Sequence, residues 1–183
     1  MERRNVRAAR SRAALKAAFL ELFQTREPEE ITVVDLCRKA GVNRSTFYAH
    51  YDYMDVLIRE VLWESVEKVF SGVAYQWDMT LENGGAARDA ISTYIDGFLD
   101  DPTLRRFCTC AGSGNYRTLL IRAQIDLTLG PYLGGREYYA AYFHNAGVLN
   151  LLLEWLANGS RLPRETLVEI IHEYSKVMYQ YRA

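Results

Sequence analysis

Apolar side chains recur every three to four residues along most of this chain, and this helical period constrains its fold more than any other feature. No segment sustains the alternation of apolar and polar residues that is typical of strands. Only four prolines interrupt the pattern, and small residues such as Gly84-Gly85 and Gly112-Ser113-Gly114 separate the helical segments. We therefore predict an all-α protein. Its helices are expected over about 6–25, 33–40, 44–51, 53–71, 86–101, 103–111, 115–129, 136–158 and 163–181.

The length of 183 residues allows one domain, or a small domain joined to a medium one. With 49% hydrophobic and 25% charged residues, the composition is that of a globular rather than a disordered chain. No apolar run is long enough for a membrane span, and no apolar segment of a secretory signal follows the first residues. Three cysteines are too few for a disulfide framework. These features predict a cytoplasmic protein without a membrane partner.

Charge is distributed unevenly along the chain. Residues 1–51 carry 10 Lys and Arg against 6 Asp and Glu, whereas residues 52–183 carry 12 against 17. The densest basic stretch consists of Arg3, Arg4, Arg7, Arg10, Arg12 and Lys16. Such a stretch is suited to an anionic polymer, which the acidic remainder of the chain would repel. A solvated helix face is the alternative interpretation.

Two short helices meet at a glycine in the segment 32–51. Thr32 followed by Asp35 is a helix start signal, because the hydroxyl caps a free amide and the carboxylate can bond back. Gly41 is expected to end this helix in the left-handed conformation, and Asn43 to cap the next one. This arrangement predicts a helix-turn-helix, which can place its second helix in the major groove of DNA. A helical corner without DNA binding is the alternative.

The second helix of this motif has two different faces. Phe47 and Tyr51 share one side and are expected to pack inward. Arg44 at the amino end is suited to a bidentate contact with guanine or phosphate. The outward side chains are small, polar or aromatic, namely Ser45, Thr46, Tyr48 and Ala49. The outward face is therefore the candidate DNA-reading surface.

The segment 12–57 resembles the amino-terminal DNA-binding domain of the TetR/AcrR family of bacterial transcription regulators. The likeness rests on the motifs Leu22-Phe23, Thr32-Val33, Ala40-Gly41-Val42, Thr46-Phe47-Tyr48 and His50-Tyr51. It implies a TetR-like all-α fold, with a three-helix DNA-binding domain followed by a helical domain for ligand binding and dimerisation. The domains are expected at 1–52 and 53–183, with 53–71 as the linking helix.

The resemblance also assigns DNA contacts to residues of this chain. They are Arg44, Ser45, Thr46 and Tyr48 on the recognition helix, with His50 near a phosphate and Thr32 at the DNA backbone. Met54 stands where the family usually has a lysine that pairs with phosphate, and this departure weakens the expected backbone contact. Arg3, Arg4 and Arg7 form an arm that could reach the neighbouring groove and compensate.

The helix predicted over 136–158 is apolar on two sides, and such a helix needs two packing partners. Apolar residues recur along 163–181 as well, so this pair could cover both its own core and a second subunit. In the family, the last two helices form a four-helix dimer interface, which suits a palindromic operator. The residues expected there are Leu149, Leu152, Trp155, Leu167, Ile171, Tyr174, Met178 and Tyr181. A helix fully buried in a monomer is the alternative.

Aromatic residues in the middle of the chain indicate the walls of a mostly apolar pocket for a small-molecule effector. The candidate ligand-binding residues are Tyr94, Phe98, Phe107, Tyr116, Gln124, Tyr139 and Phe143. Ordinary core packing is the alternative for each of them. Cys108 and Cys110 have neither a second cysteine pair nor a histidine at zinc spacing, so no metal and no cofactor are expected.

No nucleotide-binding loop or nucleophile motif accompanies the three histidines, and an enzyme is not expected. We predict a homodimeric transcription regulator, a repressor that a small molecule releases from a palindromic DNA operator. Control by a protein partner is the alternative, because 145–167 loosely resembles a subgroup that includes regulators of dihydroxyacetone kinase operons. An all-α enzyme that uses His144 or Cys108 is a third hypothesis.

Overall fold

The computed structural model describes residues 2–71, 84–110, 113–129 and 135–180, and all regular structure in these ranges is helical. This confirms the all-α prediction. A short 3-10 turn, Pro28–Glu30, lies between the first two α-helices. The α-helices are α1 (Glu2–Phe23), α2 (Val33–Ala40), α3 (Arg44–Tyr48), α4 (Met54–Phe70), α5 (Gly84–Asp100), α6 (Pro102–Thr109), α7 (Ser113–Leu129), α8 (Arg136–Ala157) and α9 (Arg164–Gln180).

The third helix is shorter than predicted. It ends at Tyr48 rather than at Tyr51, because the amides of His50 and Tyr51 both donate to the carbonyl of Phe47, at 2.9 Å each. Two donors on one carbonyl close a turn and stop the regular helical ladder. The 3-10 turn before α2 was not anticipated either, although Glu27 and Glu30 form a capping box around it.

The chain divides into two compact units, and the division falls inside α4. The first unit is Met1–Leu62 with Cys110–Gly112, and the second is Trp63–Thr109 with Ser113–Ala183. Helix α4 is therefore one continuous element whose residues up to Leu62 belong to the first unit and whose later residues belong to the second.

The first unit is built around apolar side chains from helices α1, α2 and α3. Leu15, Phe19 and Phe23 repeat along one face of α1 and are completely buried, as are Leu36 on α2 and Phe47 on α3. The rings of Phe19 and Phe23 stack at 5.4 Å. Each such side chain contributes roughly 1.5–3 kcal/mol of burial free energy, which is what holds the short helices α2 and α3 in place.

The second unit contains a larger aromatic and aliphatic core, in which α7 packs on α8 and α5 packs on α9. Its completely buried members include Tyr94, Phe98, Phe107, Leu149 and Leu152. Among the helices of the described ranges, none is both long and apolar enough to cross a membrane.

Candidate nucleic-acid interface

The corner between α2 and α3 is formed by local hydrogen bonds that the sequence predicts. Thr32 caps α2, since its Oγ1 accepts the amide of Asp35 at 3.1 Å and donates to the Asp35 carboxylate at 2.9 Å. This bond from Thr32, together with Arg26 and Arg38, lowers the pKa of Asp35. At the other end, Gly41 has φ 66°, in the left-handed region that favours glycine. The predicted helix start and stop are thus confirmed.

Asn43 holds the start of α3 through one oxygen atom. Its Oδ1 accepts the amide of Thr46 at 2.8 Å, the Thr46 hydroxyl at 2.7 Å and the Ser45 hydroxyl at 2.7 Å. The two hydroxyls that the sequence assigns to DNA contact are therefore also engaged in the cap. Their oxygen lone pairs can still accept hydrogen bonds.

The inward and outward faces of the α3 segment are as predicted. Phe47 and Tyr51 are buried with their rings 5.6 Å apart, and Tyr48 packs edge-on against Phe47 at 5.3 Å. Arg44 and Ser45 are exposed, and half of Tyr48 is accessible to solvent. A rigid aromatic anchor thus supports a row of accessible polar groups, which is the layout of a DNA-reading helix.

His50 makes a hydrogen bond that the sequence does not reveal. Its Nε2 lies 2.7 Å from Oγ of Ser11 on α1, and the ring is half-buried. Ser11 Oγ also lies 3.0 Å from the carbonyl oxygen of Ala8. The bond fixes the ring against α1, so only Nδ1 remains for the phosphate contact expected of this residue.

The basic residues of α1 fall into two groups. Arg7 and Arg10 are exposed, whereas Arg12 and Lys16 bind the carboxylate of Glu60 on α4. Arg12 approaches Glu60 in a bidentate manner, with its Nε 3.0 Å from Oε1 and its Nη2 2.6 Å from Oε2. Arg12 and Lys16 therefore neutralise an acidic group of their own chain, and less of the basic stretch is available to an anionic polymer than its composition indicates.

The environment of Glu60 is electrostatically balanced. Partial burial raises the pKa of this carboxyl, but the hydrogen bonds from Arg12 and Lys16 outweigh the effect and keep the pKa below its ordinary value. The Arg12 guanidinium also lies over the ring of Tyr51, 5.7 Å from its centroid. This cluster joins α1, α4 and the end of the α3 segment within the first unit. No sequence motif indicates it, because Arg12 and Glu60 are 48 residues apart.

The prediction also involves the start of α1 and the start of α4. Arg3 and Arg4 belong to α1, but their side chains lie outside the described part of the structure. Met54, at the position where a lysine was expected, begins α4 and is half-buried, and Tyr53 beside it is largely exposed.

Five of the seven predicted ligand-binding residues are buried in the second unit, where they form two contact groups. Tyr94 and Phe98 lie 5.2 Å apart on α5, and Phe107 lies 5.1 Å from Tyr116. The Tyr94 hydroxyl donates to Gln124 at 3.3 Å. The other two predicted residues are elsewhere: Tyr139 and Phe143 lie on the surface of α8, 70% and 69% exposed, because the core side of α8 is occupied by leucines.

The residues predicted for a dimer interface also separate into two groups. Leu149, Leu152, Leu167 and Ile171 are buried within their own chain, so they pack the core of the second unit. Trp155 is nearly buried, and its Nε1 donates to the carbonyl of Leu162 at 2.9 Å. Tyr174 is 72% exposed, whereas the side chains of Met178 and Tyr181 lie outside the described residues.

In the described ranges, no three His, Cys, Asp or Glu side chains are close enough together to hold a metal ion. Cys37, Cys108 and Cys110 are buried.

Comparisons with known proteins agree with this layout. Residues 14–61 match the family model described as bacterial regulatory proteins, tetR family. A 64-residue stretch is 34% identical to an uncharacterized HTH-type transcriptional regulator, YxbF, of Bacillus subtilis. That match covers 34% of this chain and 17% of YxbF, so the likeness spans about a sixth of the curated relative.

Solved structures resemble the chain over nearly its full length. The TetR-family repressor AlkX of Dietzia has a TM-score of 0.54 at 19% identity, with 89% of this chain and 94% of AlkX covered. A tetR-family transcriptional regulator of Streptomyces coelicolor has a TM-score of 0.58 at 19% identity, with 93% and 82% covered. The fatty acid degradation regulator FadR of Bacillus halodurans has a TM-score of 0.55 at 13% identity, with 89% and 93% covered. These likenesses show a shared fold.

Proposed function

We propose that this chain is a repressor of the TetR family, whose model matches residues 14–61, and that a small-molecule effector releases it from its operator. The observation that supports DNA binding most strongly is the α3 segment itself. Arg44, Ser45 and Tyr48 are accessible on a helix that Asn43 and Phe47 fix to the rest of the unit. Accessible polar groups on a rigid support are what reading of base edges requires.

The proposed contacts differ in kind. Arg44 presents a planar guanidinium that suits the two acceptors of guanine or a phosphate, and Tyr48 offers a hydroxyl on a ring held by Phe47. Thr32 and His50 flank these residues, and we assign them to contacts with the DNA backbone. Arg7 and Arg10 add exposed positive charge from α1.

A pair of arginine variants tests DNA recognition directly. Arg44→Ala removes an exposed guanidinium from α3, and Arg122→Ala removes an exposed guanidinium from α7 in the second unit. Both changes lower the net charge equally, so a general loss of electrostatic attraction affects them alike. We expect Arg44→Ala to weaken operator binding by about 1–3 kcal/mol and Arg122→Ala to leave it nearly unchanged. Equal binding by the two variants would contradict the assignment of α3 as the reading helix.

We propose that the dimer contact consists of an exposed apolar stripe on α8 together with the exposed Tyr174 on α9. Tyr139, Phe143, Gly147 and Leu151 follow one another at intervals of four residues, and all are exposed. Among the residues that the structure describes, none comes within 4 Å of the position that a Cβ on Gly147 would occupy. Such a stripe is costly to leave in water, and a second copy of the chain would cover it symmetrically.

The proposed effector is an uncharged and mostly apolar molecule. Within the described part of the second unit, no Asp, Glu, Lys or Arg is among the buried polar residues. They are Thr103, Gln124, His144, His172 and Ser175. A buried carboxylate or ammonium group on a ligand would need an opposite charge, which these residues do not supply. Screening of neutral apolar compounds for release of operator DNA tests this class against charged analogues of the same size.

Control by a protein partner is the second candidate. The exposed apolar stripe on α8 supports it, together with the tyrosines beside the stripe. Tyr138, Tyr139 and Tyr142 cluster at the start of α8, with ring centroids 5.3 Å and 6.2 Å from Tyr138. Surface aromatic clusters are enriched in protein interfaces of every kind. Sedimentation of the purified chain separates the two candidates, because a stable homodimer would occupy the stripe and a monomer would leave it available to a partner.

A further inference from the structure

Gly97 lies where α5 meets the end of α4 most closely. A Cβ placed on Gly97 would be 2.6 Å from Cγ1 of Val69, 3.3 Å from its Cγ2 and 3.5 Å from its Cβ. Glycine in a helix interior costs about 1 kcal/mol relative to alanine, so its presence in α5 needs a compensating reason. The close approach of Val69 is that reason, because any other residue would push the two helices apart.

Val69 cannot simply turn away from an added methyl group. It is β-branched and lies inside a helix, where one χ1 rotamer dominates. The rotamer that moves Cγ1 away and leaves only the 3.3 Å contact is disfavoured in a helix. Relief of the clash therefore costs free energy, either in the Val69 side chain or in the backbone of α4.

The residues on either side of Val69 also contact α5 or the residue that follows it. The ring of Phe70 lies 5.5 Å from that of Tyr94 and 6.4 Å from that of Phe98. Lys68 Nζ lies 3.6 Å from Oδ2 of Asp101, whose other oxygen caps α6. We use the name α4 seat for the residues that contact the end of α4, namely Tyr94, Gly97 and Phe98 of α5 and Asp101 directly after it.

The α4 seat is continuous with the proposed effector site. Tyr94 touches Phe70 with its ring and bonds to Gln124 with its hydroxyl. Gln124 in turn donates to Asn145 Oδ1 at 3.4 Å. Both hydrogen bonds are long, so a ligand that competes for Gln124 has little to displace. Such a ligand would act on Tyr94, the hydrogen-bond partner of Gln124 that contacts Phe70 of α4.

We propose that Gly97 is a positioning residue for operator binding: the missing side chain sets how closely the end of α4 lies on α5, and this placement of α4 governs operator affinity. The inference rests on the proposed function. Its physical basis is that α4 is a single helix whose residues up to Leu62 belong to the DNA-binding unit. Val69 and the α4 residues of the DNA-binding unit therefore lie on one helix.

A double-mutant cycle tests the proposal. Gly97→Ala adds a clash with Val69, whereas Val69→Ala removes both methyl groups and leaves a gap. The double variant restores an ordinary contact, since the two Cβ atoms would lie 3.5 Å apart. We expect each single variant to weaken operator binding by about tenfold and the double variant to bind within about threefold of the original. Val69→Ala adds no atom, so it keeps the test informative even if Gly97→Ala fails to fold.

Hydrogen exchange in the DNA-free protein provides the second measurement. Amides of α4 should exchange faster in both single variants and return toward the original rates in the double variant. Absence of any change in α4 exchange would overturn the positioning role. Altered exchange with unchanged operator affinity, or an affinity loss that the double variant does not restore, would overturn the link to DNA binding. Failure of the unmodified protein to bind any operator would contradict the proposed function instead, and the exchange rates would still decide the role of Gly97.

Discussion

Asn43 illustrates how one side chain can determine the geometry of the recognition helix. Helix α3 has only five residues, too few to be stable by itself, and it depends on its N-cap and on the burial of Phe47. The Asn43 side-chain oxygen accepts three hydrogen bonds from the first turn. We therefore expect Asn43 to affect DNA binding through Ser45 and Thr46, which it orients.

Removing the cap should reduce stability and affinity together. We expect Asn43→Ala to lower the free energy of unfolding by about 1 kcal/mol and to weaken operator binding as α3 frays. Thermal unfolding and operator titration on the same preparation measure the two effects.

Asn43→Asp is the matched control. Aspartate keeps the acceptor oxygen, so stability should be retained, but its negative charge beside the DNA should still weaken binding. Unchanged stability of Asn43→Ala would show that the cap does not support the helix.

Local residue patterns account for much of this site. Thr32, Gly41 and Asn43 have the roles that their spacing predicts, because caps and left-handed turns depend on nearby backbone atoms. The bonds from Ser11 to His50 and from Arg12 to Glu60 were not predictable in this way. They join residues 39 and 48 positions apart, and only the packing of the helices brings those residues together.

At the scale of helices, the packing of α9 against α5 buries a titratable group. His172 on α9 is completely buried, and within the described residues neither of its ring nitrogens has a hydrogen-bond partner. Burial lowers the pKa of His172, with help from Arg88 on α5 and Lys176 on α9, while Glu169 and Glu173 oppose the shift. The folded protein therefore favours the neutral form of the His172 side chain.

This burial predicts that stability falls in mild acid. Because the folded-state pKa of His172 is below the unfolded value of about 6.5, the unfolded chain takes up the proton first as the pH falls. The free energy of unfolding should accordingly decrease as the pH falls below about 6.5.

The variant His172→Phe isolates the contribution of this group. Its ring fills a similar volume and cannot be protonated, so its Tm should drop less between neutral pH and mild acid than that of the original protein. Circular dichroism melts at both pH values measure the difference. An equal drop in the two proteins would assign the acid sensitivity to other groups.

Helix periodicity gave the type and order of all nine α-helices in the described ranges, because each has an apolar face of sufficient length. The end of α3 and the 3-10 turn at Pro28–Glu30 were missed, since both depend on which carbonyl oxygen accepts the hydrogen bond from each of a few backbone amides. Periodicity also showed that α8 has two apolar sides. It did not show which side faces its own chain, and so Tyr139 and Phe143 were assigned to the interior.

At the scale of the whole molecule, exposed apolar surface predicts self-association. Phe143 and Tyr174 are both about 70% exposed in the single chain, so changing them to glutamate should not disturb its core. We expect Phe143→Glu and Tyr174→Glu to convert a dimer to monomers, because a desolvated carboxylate in a symmetric contact has no opposite charge. Sedimentation velocity at several concentrations reports the change.

Val34→Glu serves as the control for this prediction. Val34 is exposed and apolar like the other two residues, but it lies on α2 in the first unit. The substitution Val34→Glu should leave the oligomeric state unchanged. Dimers that persist in both α8 and α9 variants would place the self-association surface elsewhere.

Sequence-specific binding of DNA is the central claim, and it is tested most directly with the purified protein and the duplex that covers the region upstream of its own gene. A scrambled duplex of equal length serves as the competitor across a salt series. We predict a preference of about 10³-fold or more for the native duplex, with the logarithm of affinity falling linearly with the logarithm of salt concentration. Weak and equal binding to both duplexes, unchanged by Arg44→Ala, would contradict the account.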